Sequence, residues 1–279
     1  MTKNKSFTSN KPLVYLIATP IGNLKEFSDR AKQAVLECDL VACEDTRNTS
    51  SLLSKFNISK PTFSLREHNE KSASETLISK IKNGTKVVYM SDAGYPGISD
   101  PGSIFVKECI ANDINVSIIN GSSAFLSCLL ASGLDTSHFY FYGFLSPKNS
   151  EATKELNNLK DREETLIFYE APHRIKETLE VMYKVLGNRE AVIGRELTKL
   201  NEEFIRGTLE ELSTTDESQL IGEMVIVVEG NKTKEELPMN EINESINLLK
   251  SKGLSNRDIV EIISKIYKVN KNQISKILY

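Results

Sequence analysis

Apolar residues along this chain come in short runs whose spacing switches between two patterns. Leu13-Val14-Tyr15-Leu16-Ile17-Ala18, Leu40-Val41-Ala42-Cys43, Lys86-Val87-Val88-Tyr89-Met90 and the stretch 115–119 are nearly continuous, which predicts buried strands. Between them apolar positions recur at helical spacing. One helix runs through Ala31, Ala34, Val35 and Leu36 behind a capping Ser28, and another is marked by Leu52, Leu53 and Phe56. A third carries Leu77, Ile78 and Ile81, with Ser72 and Glu75 at capping-box spacing ahead of them. A fourth carries Ile104, Phe105, Val106 and Cys109. Repeated strand–helix units predict a parallel sheet covered by helices on both faces.

A second α/β unit follows. Its strands are expected over 139–142, 165–169, 191–193, 203–206 and 224–228, with clear helices only over 154–159 and 175–186. The last strands lie close in sequence, so this sheet is expected to be mixed. After Gly230 the polar segment Asn231-Lys232-Thr233-Lys234-Glu235-Glu236 reads as a linker. The remainder is helical in pattern. Ser255 and Asn270 look like N-caps, with Asp258 and Gln273 three residues on. Ile259, Ile262, Ile263 and Ile266 share one helical face, as do Ile274, Ile277 and Leu278, and Gly253-Leu254-Ser255 makes a turn between helices. The pattern is that of a small helix-turn-helix, or of a helical cap on the body.

Composition narrows the classes. A chain of 279 residues, 39% hydrophobic and 26% charged, is an ordinary globular composition with room for two domains. No apolar run approaches membrane-spanning length, and the polar start Met1-Thr2-Lys3-Asn4-Lys5-Ser6 leads into no signal-like segment. Cys38, Cys43, Cys109 and Cys128 form no Cys-x-x-Cys pair, which predicts reduced, buried thiols in a cytoplasmic protein. His68, His138 and His173 are too few and too scattered to suggest a metal. The net charge of −3 weighs against a nucleic-acid partner unless a basic patch is concentrated locally.

The candidate chemistry lies in the loops. Ser91-Asp92-Ala93-Gly94-Tyr95-Pro96-Gly97-Ile98-Ser99-Asp100-Pro101-Gly102 follows a strand and is far richer in Gly and Pro than a turn requires. Thr19-Pro20-Ile21-Gly22-Asn23-Leu24, Glu44-Asp45-Thr46-Arg47 and Asn120-Gly121-Ser122-Ser123-Ala124 also follow strands. In a parallel sheet all four fall on the carboxyl edge, where open α/β sheets bind ligands. None carries Gly-x-Gly-x-x-Gly or Gly-x-x-x-x-Gly-Lys-Ser/Thr, so the usual nicotinamide and nucleoside-triphosphate fingerprints are absent.

These loops, together with Tyr169-Glu170-Ala171-Pro172-His173-Arg174 and Arg195-Glu196-Leu197-Thr198-Lys199 in that order, resemble the ribosomal RNA small subunit methyltransferase I family. Members are 16S ribosomal RNA cytidine 2′-O-methyltransferases of the tetrapyrrole methylase superfamily. The likeness covers roughly residues 13–230 and, more faintly, the helical end. Asn120 and Ser146 stand where the family usually has proline. The resemblance implies two α/β domains, over 13–120 and 121–230, with an S-adenosylmethionine cleft between them. A disordered tail (1–12) and a helical appendage (238–279) would flank them. It implies a homodimer acting on 16S ribosomal RNA or the small ribosomal subunit, with no metal and no membrane. By position it offers Pro20, Asp92, Gly94, Pro96, Ile98 and Ser99 as cofactor contacts, and also Ser122, Ala124, Phe144, Ala171, Gly222 and Glu223.

Ribose methylation asks for alignment of a hydroxyl with the methyl group and removal of its proton. Glu170, Glu44, Asp45 and His173 are the candidate bases. Glu44 and Asp45 serve equally well in a salt bridge to Arg47 or as a helix N-cap, and His173 as a cap. Arg47, Arg174, Arg195, Lys199 and Arg206 suit phosphate contacts, although Glu196, Glu202 and Glu203 also predict ordinary ion pairs. Lys250, Lys252, Arg257, Lys265, Lys268, Lys271 and Lys276 favour RNA docking by the helical end. Two other readings stay open: a tetrapyrrole or other small-molecule methyltransferase, and a non-catalytic ligand-sensing regulator with a DNA-binding tail.

Overall fold

The computed structural model describes residues 5–8, 10–216, 220–232, 239–267, 269 and 271–278, except the side chains of 272 and 273. The chain divides into two compact units, residues 1–230 and 231–279.

The first unit holds two five-stranded sheets. In the first, β1 (Leu13–Ile17), β2 (Leu40–Cys43), β3 (Thr62–Ser64), β4 (Val87–Met90) and β5 (Asn115–Ile119) lie in the order β3-β2-β4-β1-β5. Every pairing is parallel, as the alternation of strands and helices requires. Alternate side chains feed two cores. Val14, Leu16, Val87 and Tyr89 meet α3 (Glu70–Lys82) and α4 (Ser103–Ala111) on one face. Ile17, Val41, Val88 and Met90 meet α1 (Asp29–Glu37) and α2 (Thr46–Ser54) on the other. Ser28 caps α1 by accepting from the Ala31 N–H at 3.2 Å. One strand was not expected, and one expectation needs correction. β3 is only three half-buried residues, too short to show periodicity. The Ser72 capping box does not form: α3 already begins at Glu70, and the Ser72 hydroxyl donates back to the Asn69 carbonyl.

The second sheet runs β6-β7-β10-β8-β9, from β6 (Phe139–Phe144), β7 (Thr165–Glu170), β8 (Glu190–Arg195), β9 (Glu203–Thr208) and β10 (Met224–Val228). It is mixed: β6 and β7 are parallel and the other pairs antiparallel. Leu156 of α6 (Asn149–Leu159), Leu179 and Met182 of α7 (Ile175–Leu186), and Leu209 and Leu212 of α8 (Leu209–Ser213) pack on one face. On the other lies α5 (Ala124–Ser132), through Cys128 and Leu129. Thus the helix that opens directly after β5 packs on the second sheet, and residues 120–124 join the two sheets. All four cysteines are free and buried.

The expected disordered tail is partly anchored. Asn115 N–H donates to the Pro12 carbonyl at 2.8 Å, Lys11 pairs with Asp113, and Phe7 sits beneath the Arg30 guanidinium. Residues 1–4 and 9 lie outside the described residues, as do 233–238 of the expected linker and the Asn270 cap.

The second unit contains α9 (Met239–Ser251), α10 (Asn256–Ile266) and α11 (Lys271–Leu278). Ile242, Ile246, Ile259, Val260, Ile263 and Ile274 form its core. Ser255 caps α10 through Asp258 N–H. Ile266, expected on the buried face, is 64% exposed, and Val260 takes a buried place instead.

Candidate active-site cleft

β1 and β4 are neighbours whose onward connections run to opposite sides, β1 toward β2 and β4 toward β5. Such a switch point opens a crevice at the carboxyl edge. Two backbone hydrogen bonds tie the loops there: Thr19 N–H to Gly94 O (2.9 Å) and Gly94 N–H to Thr19 O (3.1 Å). Gly94 has φ +74°, a conformation that suits glycine and leaves its backbone bare.

The far end of the 91–102 loop is held by α3. One oxygen of the buried Glu70 carboxylate accepts from the N–H groups of Gly102 (2.8 Å), Ile104 (2.8 Å) and Phe105 (3.3 Å). It supplies the acceptors that α4 lacks at its own N-cap. The Tyr89 hydroxyl donates to the Pro101 carbonyl. Gly102, at φ +136°, has no room for a Cβ, which would fall 2.6 Å from the Tyr89 ring. Ser99 is held in the left-handed region at φ +58°, and such strained residues gather at functional sites.

The loop forms one wall of a cleft of about 400 Å³. Gly94, Tyr95, Ile98, Ser99 and Asp100 face Ala124 and Phe125 of α5 and Phe144, Tyr169 and Ala171 of the second sheet. Ile21, Leu197, Glu223 and Val225 complete most of the wall. Of the expected cofactor residues, Gly94, Ile98, Ser99, Ala124, Phe144, Ala171 and Glu223 line the cleft. Pro20, Asp92, Pro96, Ser122 and Gly222 do not, and for several the reason is visible. Asp92 accepts from Asn48 Nδ2 (2.7 Å) and Asp45 N–H (3.2 Å), and the Ser122 hydroxyl is bonded to Glu26. Gly222 packs so tightly on Glu196 that a Cβ would meet its carboxylate. Pro20 and Ser122 yield their places to the adjacent Ile21 and Ser123.

The expected bases fare differently. Glu170 is buried; its oxygens accept from Ala171 N–H (2.8 Å) and Thr178 Oγ1 (2.6 Å), with Arg174 Nη2 at 3.6 Å. A carboxylate so engaged ties the end of β7 to the start of α7, and Glu170 also lines the cleft. His173 is exposed beside Lys176, Glu177 and Leu220, in a groove that shares Pro172 with the cleft. Asp45 caps α2 by accepting from Arg47 N–H (2.8 Å) and pairs with the Arg47 guanidinium, which holds its carboxyl below the usual range. Glu44 has its carboxyl raised by burial and then by Asp92. Asp100, which the motif reading passed over, is pushed up to about 7 by burial and then by Glu44 and Asp92. Phe125 was not singled out from the sequence, and Tyr169 stood only at the head of its motif; their place in the cleft comes from the meeting of the two sheets.

The basic residues are largely turned inward. Arg174 donates to the carbonyls of Leu145 (3.3 Å) and Ser146 (2.9 Å), and Arg195 pairs with Glu203 (2.5 Å) and the Ile221 carbonyl (3.1 Å). Lys199 bridges Glu196 (3.0 Å) and Glu223 (2.8 Å). Arg206 donates to the Ala131 carbonyl at 2.6 Å while remaining exposed. Arg47 is 86% exposed. Arg66, which sequence reasoning missed, stands beside it, with Nε donating to the Glu44 carbonyl at 3.2 Å.

Residues 13–213 match the family model of Tetrapyrrole (Corrin/Porphyrin) Methylases. The chain is 45% identical over 228 residues to ribosomal RNA small subunit methyltransferase I of Bacillus subtilis, covering 81% of this chain and 78% of that protein. It is 38% identical to the Vibrio cholerae protein of the same name, covering 99% and 97%. Among solved structures, diphthine synthase superposes with a TM-score of 0.60 at 19% identity, covering 78% of this chain and 89% of that one. Uroporphyrin-III-C-methyltransferase of Thermus thermophilus gives 0.55 at 15%, covering 78% and 94%. These distant neighbours share the fold.

Tetrapyrrole methylases take their methyl group from S-adenosylmethionine. The cleft suits it. Ile21, Ile98, Phe144 and Leu197 offer apolar surface for an adenine, and the bare backbone at Gly94 allows close approach. No Lys or Arg lines the cleft among the described residues, so a ligand carrying a sulfonium and an ammonium meets no cation there. Fold, cleft and sequence identity agree: the chain belongs to the ribosomal RNA small subunit methyltransferase I family, within the tetrapyrrole methylases.

Proposed function

We propose that this protein transfers a methyl group from S-adenosylmethionine to the ribose 2′-oxygen of a cytidine in 16S ribosomal RNA. The observation that carries the reading is the cleft at the β1/β4 switch point, lined by no Lys or Arg among the described residues, in a chain 38–45% identical to ribosomal RNA methyltransferases. Gly94, Ile98, Ser99 and Phe144 would hold the cofactor. Arg47, Arg66 and Arg206 remain solvent-facing and suit phosphate contact, whereas Arg174, Arg195 and Lys199 brace the loops around the cleft. The lysines of α9 to α11 add a second cationic surface. The protein works in the cytoplasm as a homodimer; exposed Ile118, Leu126, Leu130 and Phe139, on β5, α5 and β6, supply apolar surface for a second copy.

The test offers labelled S-adenosylmethionine with either small ribosomal subunits from cells lacking the protein or a uroporphyrinogen. Label entering RNA alone supports the reading. Label entering the tetrapyrrole alone would replace it with small-molecule methylation.

A further inference from the structure

Among the acids around the cleft, Asp100 and Glu44 accept no side-chain hydrogen bond from any described residue, and of the two only Asp100 lines the cleft. Asp92, Asp45, Glu70 and Glu170 each accept hydrogen bonds that fix them in place. Asp100 lines the cleft, and its carboxylate accepts none from any described residue. It sits among Glu44 at the end of β2, Asp92 at the end of β4, and the rings of Tyr89 and Tyr169. Those phenols remain neutral, since burial raises both, Tyr169 to about 12. Arg66 faces Glu44 from the loop after β3. The acid is thus free to exchange a proton with a ligand and is held where its charge is costly.

We propose that Asp100 is the general base that takes the ribose hydroxyl proton during methyl transfer, an assignment that rests on the ribose reading above. The ribose oxygen gains the methyl group, the sulfur keeps the electron pair of the broken S–CH3 bond, and the hydroxyl proton passes to the Asp100 carboxylate. Burial and the negative Glu44 and Asp92 keep this carboxyl half-ionised near neutrality, where a base is most effective. The ionised form is the active one, so transfer should rise with pH through the neutral range. Removing the Glu44 charge relieves repulsion and should move that rise to lower pH.

The experiment compares wild type, Asp100→Asn and Glu44→Gln by single-turnover transfer to small subunits across roughly pH 6 to 9. Calorimetry with S-adenosylhomocysteine follows affinity, and carboxyl NMR of aspartate-labelled protein follows the proton directly. Asp100→Asn should slow transfer about 100-fold or more with affinity kept within about threefold. It should also remove a resonance titrating near neutrality. Glu44→Gln should shift that resonance and the acid limb downward together. Transfer by Asp100→Asn within about tenfold of wild type would overturn the assignment, as would loss of affinity, which would make Asp100 a cofactor ligand. An unmoved limb in Glu44→Gln would also overturn it. Failure of wild type to methylate any ribose would instead count against the functional reading itself.

Discussion

At Gly94 a single hydrogen in place of a side chain decides whether a ligand can reach the backbone. The residue is at φ +74° and is paired with Thr19 through both backbone groups. Gly94→Val should cut S-adenosylmethionine affinity at least about tenfold, because a β-branched residue resists this conformation and narrows the cleft. Isothermal calorimetry checks it; unchanged affinity would remove Gly94 from the site. Asp100 carries a stability cost. Its folded-state pKa, about 7, lies above that of an aspartate in an unfolded chain, so folding loses stability as pH rises from about 4 through about 7. Asp100→Asn should therefore stabilise the protein by about 1 kcal/mol at pH ~8 and by nothing near pH ~4, read from urea midpoints at both values. Gly94 could be read from its motif. Asp100 could not, since its environment is made by strand ends far apart in sequence. Glu70 was equally hidden: nothing near it marks a carboxylate that caps a helix 32 residues away.

Elements were legible where periodicity had room to show itself. The four longer strands of the first sheet and the helices around them follow from local pattern, and the mixed second sheet follows from its short connections. β3 and α8, at three and five residues, are too short for a period to register. The pairing of α5 with the second sheet depends on contacts that local sequence does not encode. There Gly194 of β8 lets the helix approach: a Cβ would fall 2.6 Å from Cys128 Sγ and 3.2 Å from Leu197. Gly194→Ala should push α5 outward and cost about 1–3 kcal/mol in chemical unfolding. Because Leu197 also lines the cleft, cofactor affinity should fall in the same variant. A variant with wild-type stability would show that α5 yields freely.

For the whole molecule, composition and loop order indicated an α/β body followed by a helical end, but the strand order β3-β2-β4-β1-β5 had to come from the structure. That order puts the loops after β1 and β4 side by side and so makes the cleft. The two compact units have separate buried cores. Deletion of residues 231–279 should leave a soluble body that binds S-adenosylmethionine as wild type does, with RNA affinity reduced; an insoluble product would show that the helices complete the body. Ribose methylation of small-subunit RNA is tested by incubation of small subunits from cells lacking the protein with wild type and labelled S-adenosylmethionine, followed by digestion to nucleosides and mass spectrometry. One new labelled species, 2′-O-methylcytidine, is expected, and none in controls without protein; label on a base, or no label in RNA, would contradict ribose methylation.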